Sequence, residues 1–405
     1  MTANNLQKGI YLDNNATTRV DPEVLAEMLP LFTEQFGNPS SMHGFGAAVG
    51  GKIEWARKQV QALLGAAHDS EIVFTSGGTE SDNTAILSVL EAYPKKKSIV
   101  TSVVEHPAVL ALCDYLEKKR GYTVHRIGVD NRGNLDLDAY EAALGPDVAI
   151  VSIMWANNET GTIFPIEELA QLAKAAGAVF HTDAVQAVGK IPMTLATSAV
   201  DMLSLSGHKL HAPKGIGALY VKRGLRFRPM LRGGHQERSR RAGTENAPGI
   251  VGLGAAAQLA LMHMTDENTR VRALRDKLEQ AILAAVPNCF VTGNPANRLP
   301  NTCNVAFEYI EGEAILLLLN EAGIAASSGS ACTSGSLEPS HVMRAMGVPY
   351  TAAHGATRFS LSRETTEEEI DRVIAVVPGI IAKLRSLSPY WSQAGAPKEF
   401  APVYS

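Results

Sequence analysis

Between Glu71 and about Val221, short β-branched runs alternate with segments of helical period. The runs are EIVFTS, SIVTSVV, VAIVSIMW and AVFHTD; Thr79–Glu91, Pro107–Lys119 and Ile166–Ala176 lie between or beside them. Each run is apolar at nearly every position, as a strand is when helices cover both faces of its sheet. Strands separated by helices pair in parallel. Two further runs, MLSLS and GIGALYV, bracket the segment GHKLHAPK. The pattern predicts an α/β domain with a mainly parallel, doubly wound sheet, and reactive groups should gather at the carboxyl ends of its strands.

After Ala247 the period becomes helical as far as about Val286, which reads as a connector into a second unit. There NVAFEY, a helix Gly312–Glu321, IAASSGS, ATRFSLS and a helix Thr366–Leu387 follow one another in an α+β order. Among them lies SSGSACTSGS, Ser327–Ser336, rich in Gly and Ser and without periodicity, which predicts a loop able to move. The tail SQAGAPKEFAPVYS reads as an irregular surface segment.

Composition narrows the classes. A chain of 405 residues suits a large domain plus a smaller one, and 45% hydrophobic with 19% charged residues is ordinary for a globular protein. A net charge of -4 leaves no electrostatic footprint for nucleic acid or an anionic membrane. Four cysteines, at 113, 289, 303 and 332, form no CxxC pair and no disulfide framework, which fits a reducing compartment. Met1–Gly9 lacks the basic flank and apolar stretch of a signal peptide, and runs such as Ile315–Leu319 are too short to span a bilayer. A cytoplasmic protein without nucleic-acid or membrane partners is expected.

Candidate chemistry sits at the predicted strand ends. EIVFTS runs into Gly77, Gly78 and Thr79 and then a helix, which aims free backbone N–H groups and the helix dipole at one point; such a turn binds phosphate, or is simply a tight turn with a capping hydroxyl. HTDAVQ puts His181 and Asp183 on one side of a strand with Gln186 just beyond, so that Asp183 either pairs with a protonated ring nitrogen or caps the next turn. In SLSGHKLHAPKG, Lys209 lies between apolar strands with Ser206 and His208 beside it. A lysine so placed loses its charge readily and serves as a Schiff-base nucleophile, although most lysines are solvated surface charges. His106, at the end of SIVTSVV, can stack on a ring or shuttle protons, or be a satisfied core histidine. Together these are the parts that pyridoxal 5'-phosphate requires. Cys332, in the Gly/Ser loop with no bulky apolar neighbour, is a candidate mobile nucleophile; Cys113, Cys289 and Cys303 read as packing residues. Gly46–Lys52 resembles a P-loop but has Ile53 where a hydroxyl must hold magnesium, and GLGAAA from Gly252 has no preceding strand, so neither marks a nucleotide site.

The motifs YLDNNATT, SGGTESDN, EHPAV, NNETG, HTDAVQ, SGHKLHAPKG, GGHQERSRRAGTEN and SSGSACTSGSLEPSHVMRAMG occur in that order over nearly the whole chain, which resembles the cysteine desulfurases of the class V aminotransferase group. YLDNNATT and GGHQER are closest to the nitrogen-fixation branch, which supplies nitrogenase iron-sulfur clusters. The resemblance implies fold type I, with a seven-stranded sheet in a large domain at 15–260 and a small domain from 1–14 and 261–405. It implies that Lys209 bonds covalently to the cofactor, Asp183 pairs with the ring nitrogen, Gln186 bonds the ring hydroxyl and His106 stacks on the ring. Gly78, Thr79, Ser206 and His208 would hold the phosphate, completed by Thr244 from the second copy of a homodimer, and Gly207 would also belong to the cofactor site. Asn14, Asn158 and Arg358 would contact the substrate L-cysteine, Arg358 through its carboxylate. Cys332 would take the sulfur as a persulfide, meet iron only transiently through that sulfur, and pass it to an iron-sulfur scaffold protein.

Overall fold

The computed structural model describes residues 9–328 and 339–391. In chain order its strands are β1 (Ile10–Tyr11), β2 (Ile72–Thr75), β3 (Ser98–Ser102), β4 (Thr123–Ile127), β5 (Val148–Ser152), β6 (Val179–Asp183), β7 (Met202–Ser206), β8 (Gly217–Val221), β9 (Cys289–Val291), β10 (Thr302–Phe307), β11 (Ile324–Ala325) and β12 (Ala356–Ser360). The central sheet has the order β2-β8-β7-β6-β5-β3-β4. β8 runs antiparallel to β2 and β7, and the other pairs are parallel, giving the expected seven-stranded, mainly parallel sheet. One of its strands escaped the pattern. β4 is an edge strand whose sequence TVHRI has three polar positions and only two buried ones, because it pairs with β3 alone and faces water along its other side.

The remaining strands of this sheet are buried at every position because helices cover both faces. Helices Gly78–Ala92 and Pro107–Arg120 pack Ile86, Val89, Val109 and Cys113 onto Ile99, Ala149, Met202 and Leu219. Helices Gly44–Leu64, Ile166–Ala175 and Ala247–Met262 cover the opposite face. The P-loop look-alike is thus the first turns of a helix. The glycines of GLGAAA serve packing: a Cβ on Gly254 would come within 2.5 Å of the Ala56 Cα atom, so glycine lets two helices cross closely.

The connector after Ala247 is not one helix. Ala247–Met262 and the stretch beyond it to Ala285 meet at 54°, and a π-helical turn at Glu267–Val271 takes up an extra residue, turning Glu267 inward beside Lys190. Beyond it, β9, β10 and β12 form an antiparallel sheet in the order β12-β10-β9, and β1 pairs in parallel with β11. Among the described residues of IAASSGS, Ile324–Ala325 is strand. Helix Glu367–Leu387, closed at its start by a reciprocal Thr366–Glu369 capping box, covers this layer; Ile10, Leu12, Leu278, Cys303, Val305, Phe359 and Val377 are buried together there. Bridges Asp13 to Ser360 and Ser327 to Arg358 carry the end of β12 to the carboxyl ends of the central strands. No single helix among the described residues is long and apolar enough to cross a membrane.

Candidate active site

The site grows from three turns at the ends of β2, β6 and β7. β2 leads into Gly77 at φ 154°, ψ -175°, a conformation open essentially only to glycine. Gly217 of β8 lies directly behind, where a Cβ would sit 2.7 Å from the Gly77 Cα atom. Helix Gly78–Ala92 then starts with its free N–H groups toward the cavity, and a Cβ on Gly78 would press to 2.9 Å from Val185 Cγ2. At the end of β6, Asp183 Oδ1 accepts from the Val185 N–H at 2.9 Å, and Gln186 Nε2 donates to the Asn15 carbonyl at 2.9 Å. β7 ends at Ser206, and a single 3-10 turn, Gly207–Lys209, delivers Lys209. Its Nζ donates to the carbonyls of Asn15 and Ala16, the latter at 2.6 Å.

The opposite wall has its own anchors. His106 caps helix Pro107–Arg120: its Nδ1 accepts from the Ala108 N–H at 3.1 Å, which leaves the neutral ring's proton on Nε2. Arg358, on β12, is buried. Its Nη1 donates to the Asn158 carbonyl at 2.8 Å and its Nη2 to Asp13 Oδ1 at 2.8 Å, while its Nε has no partner. Arg358 nonetheless lines the cavity, and a guanidinium there suits a carboxylate.

These walls enclose a cavity of about 250 Å³ lined by Gly78, Thr79, His106, Asn158, Asp183, Gln186, Ser206, His208, Lys209 and Arg358, ten of the residues singled out in the sequence. Three others lie elsewhere. Gly207 is beneath the turn, where a Cβ would meet Ile216 Cγ2 at 2.8 Å. Asn14 turns away and donates its amide to the Ser360 carbonyl at 2.9 Å. Thr244 is exposed on the loop before helix Ala247–Met262. Cys332 lies outside the described residues.

Lining residues that sequence reasoning passed over include Asn15, Asp82, Met154, Glu159 and His341. Asp82 follows Thr79 by three residues on the same helix face, which is the signal that could have found it. Behind it the acids are densely buried: Asp82, Glu105 and Asp183 are 1%, 0% and 6% exposed. Burial raises all three toward the neutral form; Asp183 adds to the rise at Asp82, and Glu105 is pushed up to about 8. His181, beneath Asp183, does not offset them, because burial lowers it to about 3 and its ring is held by Ser152 and Ser204 hydroxyls at 2.9 Å each. His208 is lowered to about 4, by burial and then by Lys209. His106 and Lys209 pull Asp183 down by less than burial raises it, which leaves these buried acids short of positive charge.

That deficiency fits pyridoxal phosphate. A protonated pyridine nitrogen would supply the charge that Asp183 lacks, the partnerless Gln186 Oε1 could accept from the ring hydroxyl, and the Gly77–Thr79 turn is open because glycines line it. The Aminotransferase class-V model matches residues 10–373, and the chain belongs to that family of pyridoxal-phosphate enzymes. A "Cysteine desulfurase" of Azospirillum brasilense is 83% identical over 399 residues, covering 98% of this chain and 99% of its own. "Cysteine desulfurase NifS" of Azotobacter vinelandii is 70% identical over the same coverage. A solved "NifS-like protein" superposes with a TM-score of 0.87 at 40% identity, over 93% of this chain and 100% of its own.

Proposed function

We propose that the chain is a cysteine desulfurase, which takes sulfur from L-cysteine, releases L-alanine and holds the sulfur as a persulfide on Cys332 for iron-sulfur cluster assembly. The observation that carries the reading is the convergence of the Lys209 amine, the Asp183 carboxylate and the Arg358 guanidinium on one cavity, in a chain 83% identical to a protein of that name. Pyridoxal phosphate, held by Gly78, Thr79, Ser206, His208, Asp183, Gln186 and Lys209, supplies the electron sink for a carbanion at the substrate's Cα. Asp183 keeps the ring-nitrogen proton in place. Lys209, whose Nζ is held at the carbonyls of Asn15 and Ala16, takes the Cα proton. Arg358 binds the carboxylate through its guanidinium, and His106 covers the ring with its Nε2 proton available for transfer. The Cys332 thiolate attacks the substrate sulfur, so that an S–S bond forms as the C–S bond breaks.

The cluster of Ile10, Leu12 and residues 271–381 supports a small unit from 1–14 and 261–405 beside a large one at 15–260, although Val342, Met346 and Ala352 pack against the large core. A homodimer is supported by the exposed apolar surface of Leu25, Leu29, Phe32, Phe36, Met42 and Phe45 and by the exposed Thr244, suited to a neighbour's phosphate. The nitrogenase role and an iron-sulfur scaffold acceptor rest on the YLDNNATT and GGHQER motifs and on the NifS relative. The deciding experiment is intact mass after incubation with L-cysteine without reductant, alongside an alanine assay. The chain gains sulfur and releases alanine, and Cys332→Ala loses both while keeping bound cofactor; turnover retained in Cys332→Ala sinks the proposal, and amino transfer to a keto acid instead marks a transaminase.

A further inference from the structure

Three consecutive non-glycine residues, Glu237, Arg238 and Ser239, stand in the left-handed region at φ 47°, 56° and 62°. Each such residue is disfavoured by about five- to thirtyfold against the right-handed form, so a run of three persists only where its surroundings over-determine it. The surroundings here are specific. Glu237 is buried and forks onto Arg57, with Oε1 to Nη2 at 2.6 Å and Oε2 to Nη1 at 2.7 Å, and Oε2 also accepts from the Phe74 N–H of β2 at 2.9 Å. Arg57 is fixed in turn by the Ile72 carbonyl at 2.8 Å and lies 4.6 Å over the Phe74 ring.

Two arginines just past the turn tie this clamp to the site. Arg240 donates to the Ser70 carbonyl at 2.6 Å, and Arg241 forks onto Glu80 at 2.9 and 3.2 Å. Glu80 Oε2 accepts from the Ser76 N–H at 2.8 Å, bracketing the Gly77–Thr79 turn from both sides. The left-handed turn aims Arg241 at Glu80, and Glu80 holds the entry to the phosphate cradle. None of Arg57, Glu80, Glu237 or Arg241 lines the cavity itself.

We propose that Glu237 and Arg57 are positioning residues: their buried fork holds the strained turn Glu237–Ser239, which through Arg241 and Glu80 presets the Gly77–Thr79 cradle for the cofactor's phosphate. The inference rests on the cavity being a pyridoxal-phosphate site. It separates phosphate binding from ring binding, which a general loss of structure does not do.

The test is equilibrium binding of pyridoxal 5'-phosphate and of pyridoxal, which lacks the phosphate, to the full-length cofactor-free chain. Glu237→Gln weakens pyridoxal 5'-phosphate by about tenfold and leaves pyridoxal within twofold. Adding Ser239→Gly, which relieves one exposed left-handed position, restores about fivefold. Arg241→Gln, which cuts the link to Glu80 without touching the clamp, reproduces the phosphate-selective loss and serves if Glu237→Gln does not fold. Equal losses for both ligands, no loss in either variant, or no rescue by Ser239→Gly overturns the inference. Failure of the unaltered chain to bind pyridoxal 5'-phosphate at all overturns the functional reading instead.

Discussion

The floor and the rim of the cavity are built on different principles. The floor, Asp183 with Asp82, Glu105 and His181 beneath it, comes from strand ends and one helix of a single sheet, and its side chains are almost wholly buried. The rim is assembled across the fold. Arg358 reaches the Asn158 carbonyl and the Asp13 carboxylate from β12, and Asn15 is held by Thr302 and Asn301 at 2.9 and 3.0 Å. A floor within one sheet is stiff and suits a permanent cofactor, whereas a rim spanning two packed layers responds to whatever shifts those layers. Cofactor binding and substrate binding should therefore be separable by mutation.

Lys209 stands where the two meet, since its turn belongs to the central sheet and its Nζ is tied to the carbonyls of Asn15 and Ala16. Lys209→Ala has the largest effect expected: alanine formation from L-cysteine falls below detection, and the covalent cofactor absorbance disappears while far-UV circular dichroism persists. Arg358→Gln acts on the rim alone. Hydrogen bonds to a charged group are worth about 1.5–3 kcal/mol, so KM for cysteine rises by about ten- to a hundredfold while cofactor affinity stays within twofold. Equal losses in both would show that floor and rim do not act independently.

How much of this is legible in the sequence obeys the same division. The strand-end turns are local, each a few residues long with the chemistry inside the motif, so Gly78, Thr79, Asp183, Gln186, Ser206, His208 and Lys209 could be placed in one site from spacing and family resemblance. Arg358 could be named from the resemblance, but its tether to Asp13, 345 positions away, depends on how β12 meets the segment after β1. The burial of Asp82 and Glu105 was not legible, although the three-residue step from Thr79 puts Asp82 on the cavity side of its helix. Acids are rarely buried, and only the stacking of helix Gly78–Ala92 over the sheet removes these two from water. The left-handed turn at Glu237 is equally hidden, since nothing in GGHQERS contains glycine at the positions with positive φ. β4 was missed for the opposite reason: its edge position lets polar residues into a strand.

Glu105 offers a finer test of the floor. Its Oε1 accepts from the Ser102 hydroxyl at 2.6 Å and the Met154 N–H at 3.0 Å, while Oε2 has no partner. Burial raises it from 4.5 to about 8, so between those values the folded chain holds a proton that the unfolded chain has released. Stability therefore falls as pH rises through this window, by at most about 5 kcal/mol, lost in full only above pH 8. Glu105→Gln removes the group that titrates. In the cofactor-free chain the unfolding free energy of the wild type, relative to Glu105→Gln, should drop between pH 5 and pH 8. The subtraction cancels His181 and His208, which titrate at lower pH and with the opposite sign. A pH-independent difference would mean that Glu105 is ionised in the folded chain and that some unseen cation compensates it.

The smallest effect expected separates neighbours in the motif YLDNNATT. Family resemblance makes Asn14 a substrate contact, yet its amide donates to the Ser360 carbonyl at 2.9 Å and to the Tyr11 carbonyl at 3.3 Å, and Asn15, not Asn14, lines the cavity. A buried amide in this position fastens the segment after β1 to β12 and so holds Asp13 within reach of Arg358. Asn14→Ala leaves the Ser360 carbonyl without that donor, which lowers stability by about 1–2 kcal/mol. KM for cysteine should change by less than about threefold, through a looser Asp13–Arg358 pair rather than a lost contact. Chemical denaturation and steady-state kinetics on the same variant decide between the two roles. A KM rise as large as that of Arg358→Gln, without loss of stability, would put Asn14 in contact with the substrate and would require the segment after β1 to turn over when the amino acid binds.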